Sequence, residues 1–293
     1  MDTFKSNIIN IYGTYGKEWL ENLPRLISEI AIKLRLSGLT PVSSLSFNYV
    51  VSGFQKKRPV ILKLGPDIIG LEAEGVALNV FSGFGVVNII AKDKGLLLLE
   101  QAIPGCSLKP YFPAREEETI GITANLMKRL HRAPIPRNHA FPHLKDWLVV
   151  LDEDWEIPHH YLQKARQLRN RLLQTSAKEV LLHGDLHHDN ILQNSNDWVV
   201  IDPKGVIGEP AYEVASFIQN PIPELLQHDN ASNILGNRIN HFANALKLPP
   251  RRILDWCFVQ AILAWVWALE DNCPYEYFKQ ITGVFYQMII EKG

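Results

Sequence analysis

LLHGDLHHDNIL, residues 181–192, crowds three histidines, two aspartates and an asparagine between two short apolar runs. The wider segment 180–202 favours a strand, the polar loop, a second strand, a turn and a third strand. Asp185 and Asn190 fall in the loop, and Asp202 ends the third strand. Polar side chains gathered in this way between apolar strands indicate a site of chemistry.

The spacing His-x-Asp-Leu-x-x-x-Asn, followed by Ile-Asp, suits phosphoryl transfer from ATP. That reaction needs one carboxylate near the acceptor hydroxyl, and an amide oxygen and a second carboxylate that hold magnesium against the phosphates. Mg²⁺ prefers hard oxygen ligands of this kind. The protein-kinase signature H-R-D-L-x-x-x-N has the same layout, with Gly184 here in place of its arginine. The pattern therefore predicts an enzyme that uses ATP and Mg²⁺.

The histidines of the same loop allow a second interpretation, a zinc-binding cage. Three or four ligands are enough for a zinc site, and imidazole suits this metal. The candidate ligands are His183, His187 and His188, with Asp185 or Asp189. A cage leaves Asn190, Asp202 and Lys63 without a role, whereas phosphoryl transfer uses all three, so kinase chemistry is the preferred hypothesis.

Helical and strand patterns elsewhere divide the chain into two lobes. In the first hundred residues the patterns predict two helices, at 18–37 and 67–81. They also predict four strands, at 45–53, 59–64, 86–93 and 95–103. The turn-rich stretch PGCSLKPYFP follows, and beyond it helices are predicted at 115–132, 141–153, 159–175, 211–219, 222–246, 251–271 and 274–291. We therefore predict a nucleotide-binding lobe at 1–103 and a catalytic and substrate-binding lobe at 104–293.

Together with VVIDPKGVIGEPAYEVASFIQNP (199–221), the polar loop resembles the aminoglycoside phosphotransferase superfamily, in particular its streptomycin 6-kinase and hydroxyurea-resistance kinase branch. An Asp-Pro-Lys-Gly stands here where protein kinases have Asp-Phe-Gly. Further segments agree in order: SFNYVV (46–51), ILKLG (61–65), EAEGVALNVFSG (72–83), LLLEQAIPG (97–105), LMKRLHRAP (126–134) and WALEDN (267–272). The resemblance implies a two-lobed, protein-kinase-like α+β fold, with an antiparallel sheet and helix in the small lobe and a mostly helical large lobe.

The resemblance also implies roles for residues of the nucleotide and metal site. Asp185 would orient or deprotonate the acceptor hydroxyl, and Asn190 and Asp202 would bind magnesium. Lys63 would contact the ATP phosphates and pair with Glu74, for which Glu72 is the alternative. His183 would brace the loop, with no catalytic role expected for His187 or His188.

The remaining implied roles concern the rest of the nucleotide and the acceptor. The backbone around Glu100 and Ala102 would receive the adenine edge. No glycine-rich loop precedes Lys63, and Ser46 and Asn48 in SLSFNYVVSG could offer polar contacts to phosphate in its place. Carboxylates on the substrate side would select an amine-bearing acceptor, and the candidates are Glu209, Glu213, Glu270 and Asp271.

Composition limits the other function classes. A net charge of −1, from 30 basic and 31 acidic residues, gives no whole-chain signature for nucleic acid. Three cysteines without a CxxC pair favour reduced thiols in the cytoplasm. The N-terminus has no signal-peptide pattern. The apolar run 253–269 contains Asp255 and Gln260, which favours a buried helix over a membrane span.

The sequence therefore predicts an ATP- and Mg²⁺-dependent kinase that phosphorylates a hydroxyl of a small molecule. The resemblance implies an aminoglycoside such as streptomycin as acceptor, and hence antibiotic resistance. Two alternatives stay open: a metabolic kinase acting on a sugar, choline-like or homoserine-like alcohol, and a nucleotide-binding pseudokinase. The expected partners are ATP and the small alcohol, without nucleic acid or membrane, and the oligomeric state is open.

Overall fold

The computed structural model describes residues 2–42 and 45–291, which form a small and a large lobe. The small lobe has an antiparallel sheet flanked by helices. Its elements are α1 (Asp2–Leu34), β1 (Leu36–Pro41), β2 (Tyr49–Gln55), β3 (Arg58–Leu64), α2 (Ile68–Val80), β4 (Ile89–Asp93) and β5 (Leu96–Glu100). The strand order β1-β2-β3-β5-β4 makes β3 the central strand.

Alternation along β3 decides which face of the sheet carries charge. Leu62 and Leu64 are fully buried, and they pack in one apolar cluster with Phe4 and Ile8 of α1. Successive side chains of a strand point to opposite faces. Lys63 therefore lies on the other face of β3, the one that α2 covers.

The large lobe is mostly helical and also carries two small antiparallel sheets. Its helices are α3 (Glu116–Leu130), α4 (Leu144–Leu148), α5 (His159–Gln174), α6 (Pro210–Ile218), α7 (Glu224–Gln227), α8 (Ala231–Leu246), α9 (Pro250–Glu270) and α10 (Glu276–Glu291). Its strands are β6 (Pro104–Ser107), β7 (Val180–Leu182), β8 (Ile191–Asn194), β9 (Asp197–Val200) and β10 (Val206–Gly208). One sheet joins β6, β8 and β9, and the other joins β7 and β10. The predicted α+β class is confirmed.

Helix α9 forms the centre of the large lobe. By length and composition alone it could cross a membrane, but most of its apolar stretch is buried inside the protein. Trp256 and Trp265 are fully buried, and α9 packs against α5, α6 and α10. This is the core helix expected from the apolar run 253–269.

The predicted elements differ from the structure mainly at the N-terminus. The helix predicted at 18–37 is α1, which begins at Asp2 and is broken at Gly13. The helix predicted at 222–246 is divided into α7 and α8. The sequence patterns do not predict the short strands β1, β6 and β10. Strand β1 is too exposed to show an alternation of apolar and polar residues. The lobe boundary at residues 103 and 104 stays a prediction.

Candidate active site

An ion cluster lies at the end of β3, with Lys63 and Glu74 buried and the Asp202 side chain 39% exposed. Lys63 Nζ is 2.7 Å from Glu74 Oε2 and 3.0 Å from Asp202 Oδ1. Lys63 and Glu74 are only 4% and 8% exposed, whereas Glu72, the alternative partner, is exposed. Asp202 reaches the cluster from the segment after β9, with a left-handed backbone at φ 61°. The fold therefore brings Lys63 and Glu74 together with Asp202, which lies 139 positions after Lys63 in the chain.

The charges of this cluster respond differently to burial. Burial opposes ionisation of Asp202, but the Lys63 ammonium outweighs it and lowers the pKa of that carboxyl. Burial also opposes the charge of Lys63, yet Asp202 and Glu74 together raise its pKa. At Glu74 burial prevails over Lys63 and raises the pKa to about 7. Lys63 and Asp202 are thus the firmly charged pair, and Glu74 takes up a proton most readily.

The polar loop, residues 183–190, is held from beneath by a buried glutamate. Glu213 of α6 accepts hydrogen bonds from the backbone N–H groups of His183, at 2.6 Å, and Gly184, at 2.9 Å. The His131 imidazole lies 3.6 Å from the same carboxylate. Burial alone would raise the pKa of Glu213, but these surrounding groups outweigh it and lower the pKa. Glu213 therefore supports the loop, which corrects its expected place on the acceptor side.

His183 is fully buried and uses both ring nitrogens beside the loop. Its Nδ1 accepts from the Asp185 N–H at 3.1 Å, which assigns the proton to Nε2. Nε2 then donates to the Ile201 carbonyl at 2.8 Å. Gly184 has φ 85°, and a Cβ there would be 2.9 Å from the Trp147 ring. A larger residue would therefore meet both backbone strain and a clash at this turn.

Asp185 and Asn190 are joined through the backbone of the loop. Asn190 Nδ2 donates to the Asp185 carbonyl at 2.9 Å, and the Ile201 N–H donates to the Asn190 carbonyl at 3.0 Å. Because the first bond engages the amide nitrogen, Oδ1 is the side-chain atom that can accept from or coordinate another group. The Asp185 carboxylate is 41% exposed, with His187 Nε2 at 3.8 Å. It is therefore accessible to a substrate.

Asn190 and Asp202 offer oxygen donors at the base of the β8–β9 hairpin. Ile191 pairs with Val200 in this hairpin, and the Ile201 N–H donates to the Asn190 carbonyl, so Asp202 follows the residue that lies beside Asn190. Amide and carboxylate oxygens are ligands that Mg²⁺ accepts. The donor set therefore fits a magnesium ion, and the role of both residues as its ligands stays a prediction.

The geometry does not support a zinc cage. Both nitrogens of His183 are engaged, and His188 is buried with its ring stacked 4.0 Å from that of Phe217. Across residues 2–42 and 45–291, no three side chains of His, Cys, Asp or Glu are grouped to hold a metal ion. His183 and His188 therefore contribute to the packing of the loop and do not converge on a metal.

His188 makes the stability of the protein sensitive to mild acid. Burial, and then the Arg238 charge, keeps its pKa well below the usual value. The unfolded chain binds a proton below about pH 6.5, so this contribution to stability is complete above that pH and is lost as the pH falls. We expect His188→Phe, which keeps the ring stack, to reduce the loss of unfolding free energy between about pH 7.5 and 5.5 by about 1.4 kcal/mol. Denaturant unfolding at the two pH values measures this difference, and an unchanged pH dependence would contradict it.

Glu100 and Ala102, the residues predicted to contact adenine, differ in whether their polar groups already have partners. The Glu100 carboxylate pairs with Arg58 and accepts from Asn88 at 2.7 Å, so this side chain serves the sheet. Two residues on, the backbone N–H of Ala102 makes no hydrogen bond within the described part of the chain. It is available to a ligand, and its contact with adenine stays a prediction.

Ser46 and Asn48 lie in the bend that leads into β2. The β2–β3 ladder sets Val50 opposite Lys63. The bend, which directly precedes β2, therefore lies near the ion cluster. The Asn48 side chain lies over Gly65, where a Cβ would come within 2.1 Å of Asn48 Oδ1. Ser46 is exposed. The bend thus borders the cluster, and its contact with phosphate stays a prediction.

Glu209 does not face an acceptor site. It is 8% exposed, its carboxylate forms a bidentate ion pair with Arg252, and one oxygen accepts from the Trp256 indole at 3.0 Å. These bonds lie inside the large lobe and join α9 to the start of α6. Glu209 therefore stabilises the packing of α6 on α9, which corrects its expected place on the acceptor side.

Glu270 and Asp271 lie exposed where α9 ends. Partial burial, and then the neighbouring carboxylates, Asp271 first, raise the pKa of Glu270. The Trp267 ring, one turn earlier, is 37% exposed and lies 5.6 Å from the Trp147 ring. Trp147 in turn abuts Gly184. This chain of contacts links the acidic end of α9 to the polar loop and makes it a candidate acceptor surface.

Comparison with known proteins gives consistent matches over most of the chain. A family model described as aminoglycoside/hydroxyurea antibiotic resistance kinase matches residues 39–272. The streptomycin 3''-kinase of Klebsiella pneumoniae is 28% identical in an alignment of 229 residues that covers 74% of this chain and 83% of that protein. The streptomycin 6-kinase of Streptomyces griseus is 23% identical in an alignment of 274 residues that covers 89% of this chain and 87% of that protein.

Solved structures agree on the fold. An aminoglycoside phosphotransferase superposes with a TM-score of 0.68 at 14% identity, covering 92% of this chain and 99% of that one. An amicoumacin kinase in complex with AMP-PNP and Ca²⁺ gives 0.67 at 15% identity, covering 92% and 93%. At these identities the likeness shows the fold alone, and it confirms the predicted two-lobed, protein-kinase-like architecture.

Proposed function

The chain belongs to the aminoglycoside/hydroxyurea antibiotic resistance kinase family, and on this premise we propose that it transfers the γ-phosphoryl group of ATP, with Mg²⁺, to a hydroxyl of a small molecule. It is a small-molecule phosphotransferase; the nucleotide, the metal and the acceptor are our assignments. The observation that carries them is the contact of the buried Lys63 with Glu74 and Asp202 beside a polar loop with an accessible Asp185.

Lys63 is proposed to bind the ATP phosphates, because its ammonium is fixed at the end of β3 and its pKa is raised by two carboxylates. Glu74 holds this side chain in place from α2. Asn190 and Asp202 would hold Mg²⁺, which when bound neutralises charge on the phosphates. The Ala102 N–H is proposed to receive the adenine edge. Catalysis then comes mainly from positioning and charge.

Asp185 is proposed to act on the acceptor hydroxyl. As the acceptor oxygen bonds to the γ-phosphorus, the bond from that phosphorus to the β–γ bridging oxygen breaks and ADP leaves. The hydroxyl proton passes to the Asp185 carboxylate, so charge and atoms balance without a phospho-enzyme. The exposure of this carboxylate and the bonds that fix its backbone support this role.

The acceptor is proposed to be an aminoglycoside such as streptomycin. Glu270 and Asp271 are exposed carboxylates at adjacent positions, and the charges that act on Glu270 are those of other carboxylates, Asp271 and Glu153. Partial burial, and then repulsion from Asp271, raise the pKa of Glu270, and a bound ammonium or guanidinium group would offset this repulsion. A cationic acceptor therefore suits this surface better than a neutral one.

The Glu270→Gln substitution tests the charge of the acceptor. We expect the KM for a cationic acceptor to rise about two- to fivefold, because one partly screened ion pair is lost. The KM for ATP should stay unchanged. Steady-state kinetics with each substrate varied in turn measures both constants, and an unaltered acceptor KM removes Glu270 from the proposal.

The function itself is tested by phosphate transfer from γ-labelled ATP with Mg²⁺ onto aminoglycosides, amino sugars and amino alcohols, with Asp185→Ala beside the wild type. Transfer to an aminoglycoside, lost in the variant, supports the proposal. Transfer only to a sugar, or to a choline-like or homoserine-like alcohol, each added to the same panel, favours a metabolic kinase. ATP binding without transfer or hydrolysis favours a pseudokinase.

A cytoplasmic location belongs to the same proposal. Cys106, Cys257 and Cys273 are all free, as thiols of a reducing compartment are. The substrate ATP is consistent with this location.

A further inference from the structure

The first part of α1, residues 2–12, folds back toward the sheet and forms an N-terminal strut. At Gly13 the helix breaks, with φ 55° and ψ −128°. A Cβ at Gly16 would lie 2.5 Å from the Ile8 carbonyl oxygen, so the two parts of α1 approach each other closely. The positive φ and this close approach are both favourable only to glycine.

The strut is anchored in the apolar cluster beside the bend that leads into β2. Phe4 and Ile8 are 1% and 0% exposed. The Phe4 ring lies 5.8 Å from that of Tyr49, the first residue of β2, and 6.3 Å from that of Trp19. Burial of these side chains fixes the strut directly next to the bend.

Asn7, between these two anchors, reaches the bend itself. Its Nδ2 donates to the Ser46 carbonyl at 3.1 Å. In a trans peptide the C=O and the following N–H point in opposite directions, so the N–H of Phe47 is directed away from Asn7. This N–H has no hydrogen-bond partner among residues 2–42 and 45–291. Backbone N–H groups of a bend can bind an anion when they face it.

We propose that Asn7 is a positioning residue for the nucleotide phosphates, acting through the Ser46 carbonyl to present the Phe47 N–H to them. The bend LSFN contains no glycine, and its backbone is held from outside by the strut. The strut lies before residue 39, where the family match begins. This inference rests on the ATP site proposed at Lys63.

The test compares Asn7→Asp with Asn22→Asp in the full-length protein. The Asn7→Asp side chain keeps the size of asparagine but loses the donor and sets a carboxylate against the Ser46 carbonyl. Asn22 is the matched control, since it lies on α1 and donates to the Glu18 carbonyl of the same helix. Binding of Mg·ATP and of adenosine is measured by equilibrium titration, together with the melting temperature.

We expect Asn7→Asp to weaken ATP binding about three- to tenfold, with adenosine binding, the acceptor KM and the melting temperature unchanged. Asn22→Asp should match the wild type, and Asn7→Gln, which retains the donor, should recover part of the affinity. The ratio of ATP to adenosine affinity separates phosphate positioning from general packing.

The outcomes keep the inference separate from the function on which it rests. Wild-type protein that binds neither ATP nor adenosine overturns the proposed function. Wild-type protein that binds ATP, with an unchanged ATP to adenosine ratio in Asn7→Asp, overturns only the role of Asn7. Equal losses of ATP and adenosine affinity also overturn it, because they indicate a packing effect.

Discussion

Asp185→Asn should lower kcat for phosphoryl transfer by about 10²- to 10⁴-fold and leave the affinity for ATP nearly unchanged. Asparagine has the shape of aspartate but cannot take up the proton of the acceptor hydroxyl. The N–H and carbonyl of residue 185, which bond to His183 and Asn190, are the same in both side-chain forms. The loss would therefore arise from the carboxylate alone.

Asp189→Asn is the matched control for this substitution. Asp189 lies in the same polar loop, its side chain is 49% exposed, and it has no role in the proposed reaction. Steady-state kinetics of both variants, with ATP titrations on each, separates kcat from nucleotide affinity. If Asp185→Asn keeps kcat within about tenfold of the wild type, Asp185 is not the base and the proposed reaction needs another.

The polar loop could be predicted from sequence because its chemistry is local. Asp185 and Asn190 lie in one short loop, and the β8–β9 hairpin brings Asp202 beside it through local pairing. The pairing of Lys63 with Glu74 spans only eleven positions. The spacing of the polar loop indicated its chemistry, whereas the pairing of Lys63 with Glu74 was implied by the family resemblance, with Glu72 as the alternative.

Contacts that depend on the packing of distant elements could not be predicted. Glu209 and Glu213 lie four positions apart and were both assigned to the acceptor side. Glu209 meets Arg252, 43 positions later, and Glu213 meets the backbone of Gly184, 29 positions earlier. No periodicity distinguishes these two glutamates, because their partners are chosen by how α9 and the polar loop pack against α6.

The N-terminal strut shows a different limit. Gly13 and Gly16 lower the helix propensity of the segment, and Phe4 and Ile8 are too few to mark an amphipathic pattern. The close approach at Gly16 explains why a glycine is useful there, but that approach is a tertiary fact. The sequence shows the glycines and does not show what they pack against.

Glu213→Gln should show that a residue remote from the substrate controls the reaction. Both carboxylate oxygens accept a backbone N–H of the polar loop, whereas an amide has one acceptor oxygen and turns its NH₂ toward the second N–H. One buried N–H is then left unsatisfied, at a cost of about 1–3 kcal/mol. We expect the free energy of unfolding to fall by that amount and kcat to fall by about tenfold to 10²-fold, as Asp185 loses its fixed position.

The decisive measurement is the double variant Asp185→Asn with Glu213→Gln. If Glu213 acts by positioning Asp185, its substitution should cost much less kcat once the Asp185 carboxylate is absent, since effects through a shared group are not additive. The loss of unfolding free energy should persist in both backgrounds. Glu117→Gln, at an exposed glutamate of α3, controls for loss of a negative charge. Fully additive losses in kcat would show that Glu213 acts on the reaction by a route other than the polar loop.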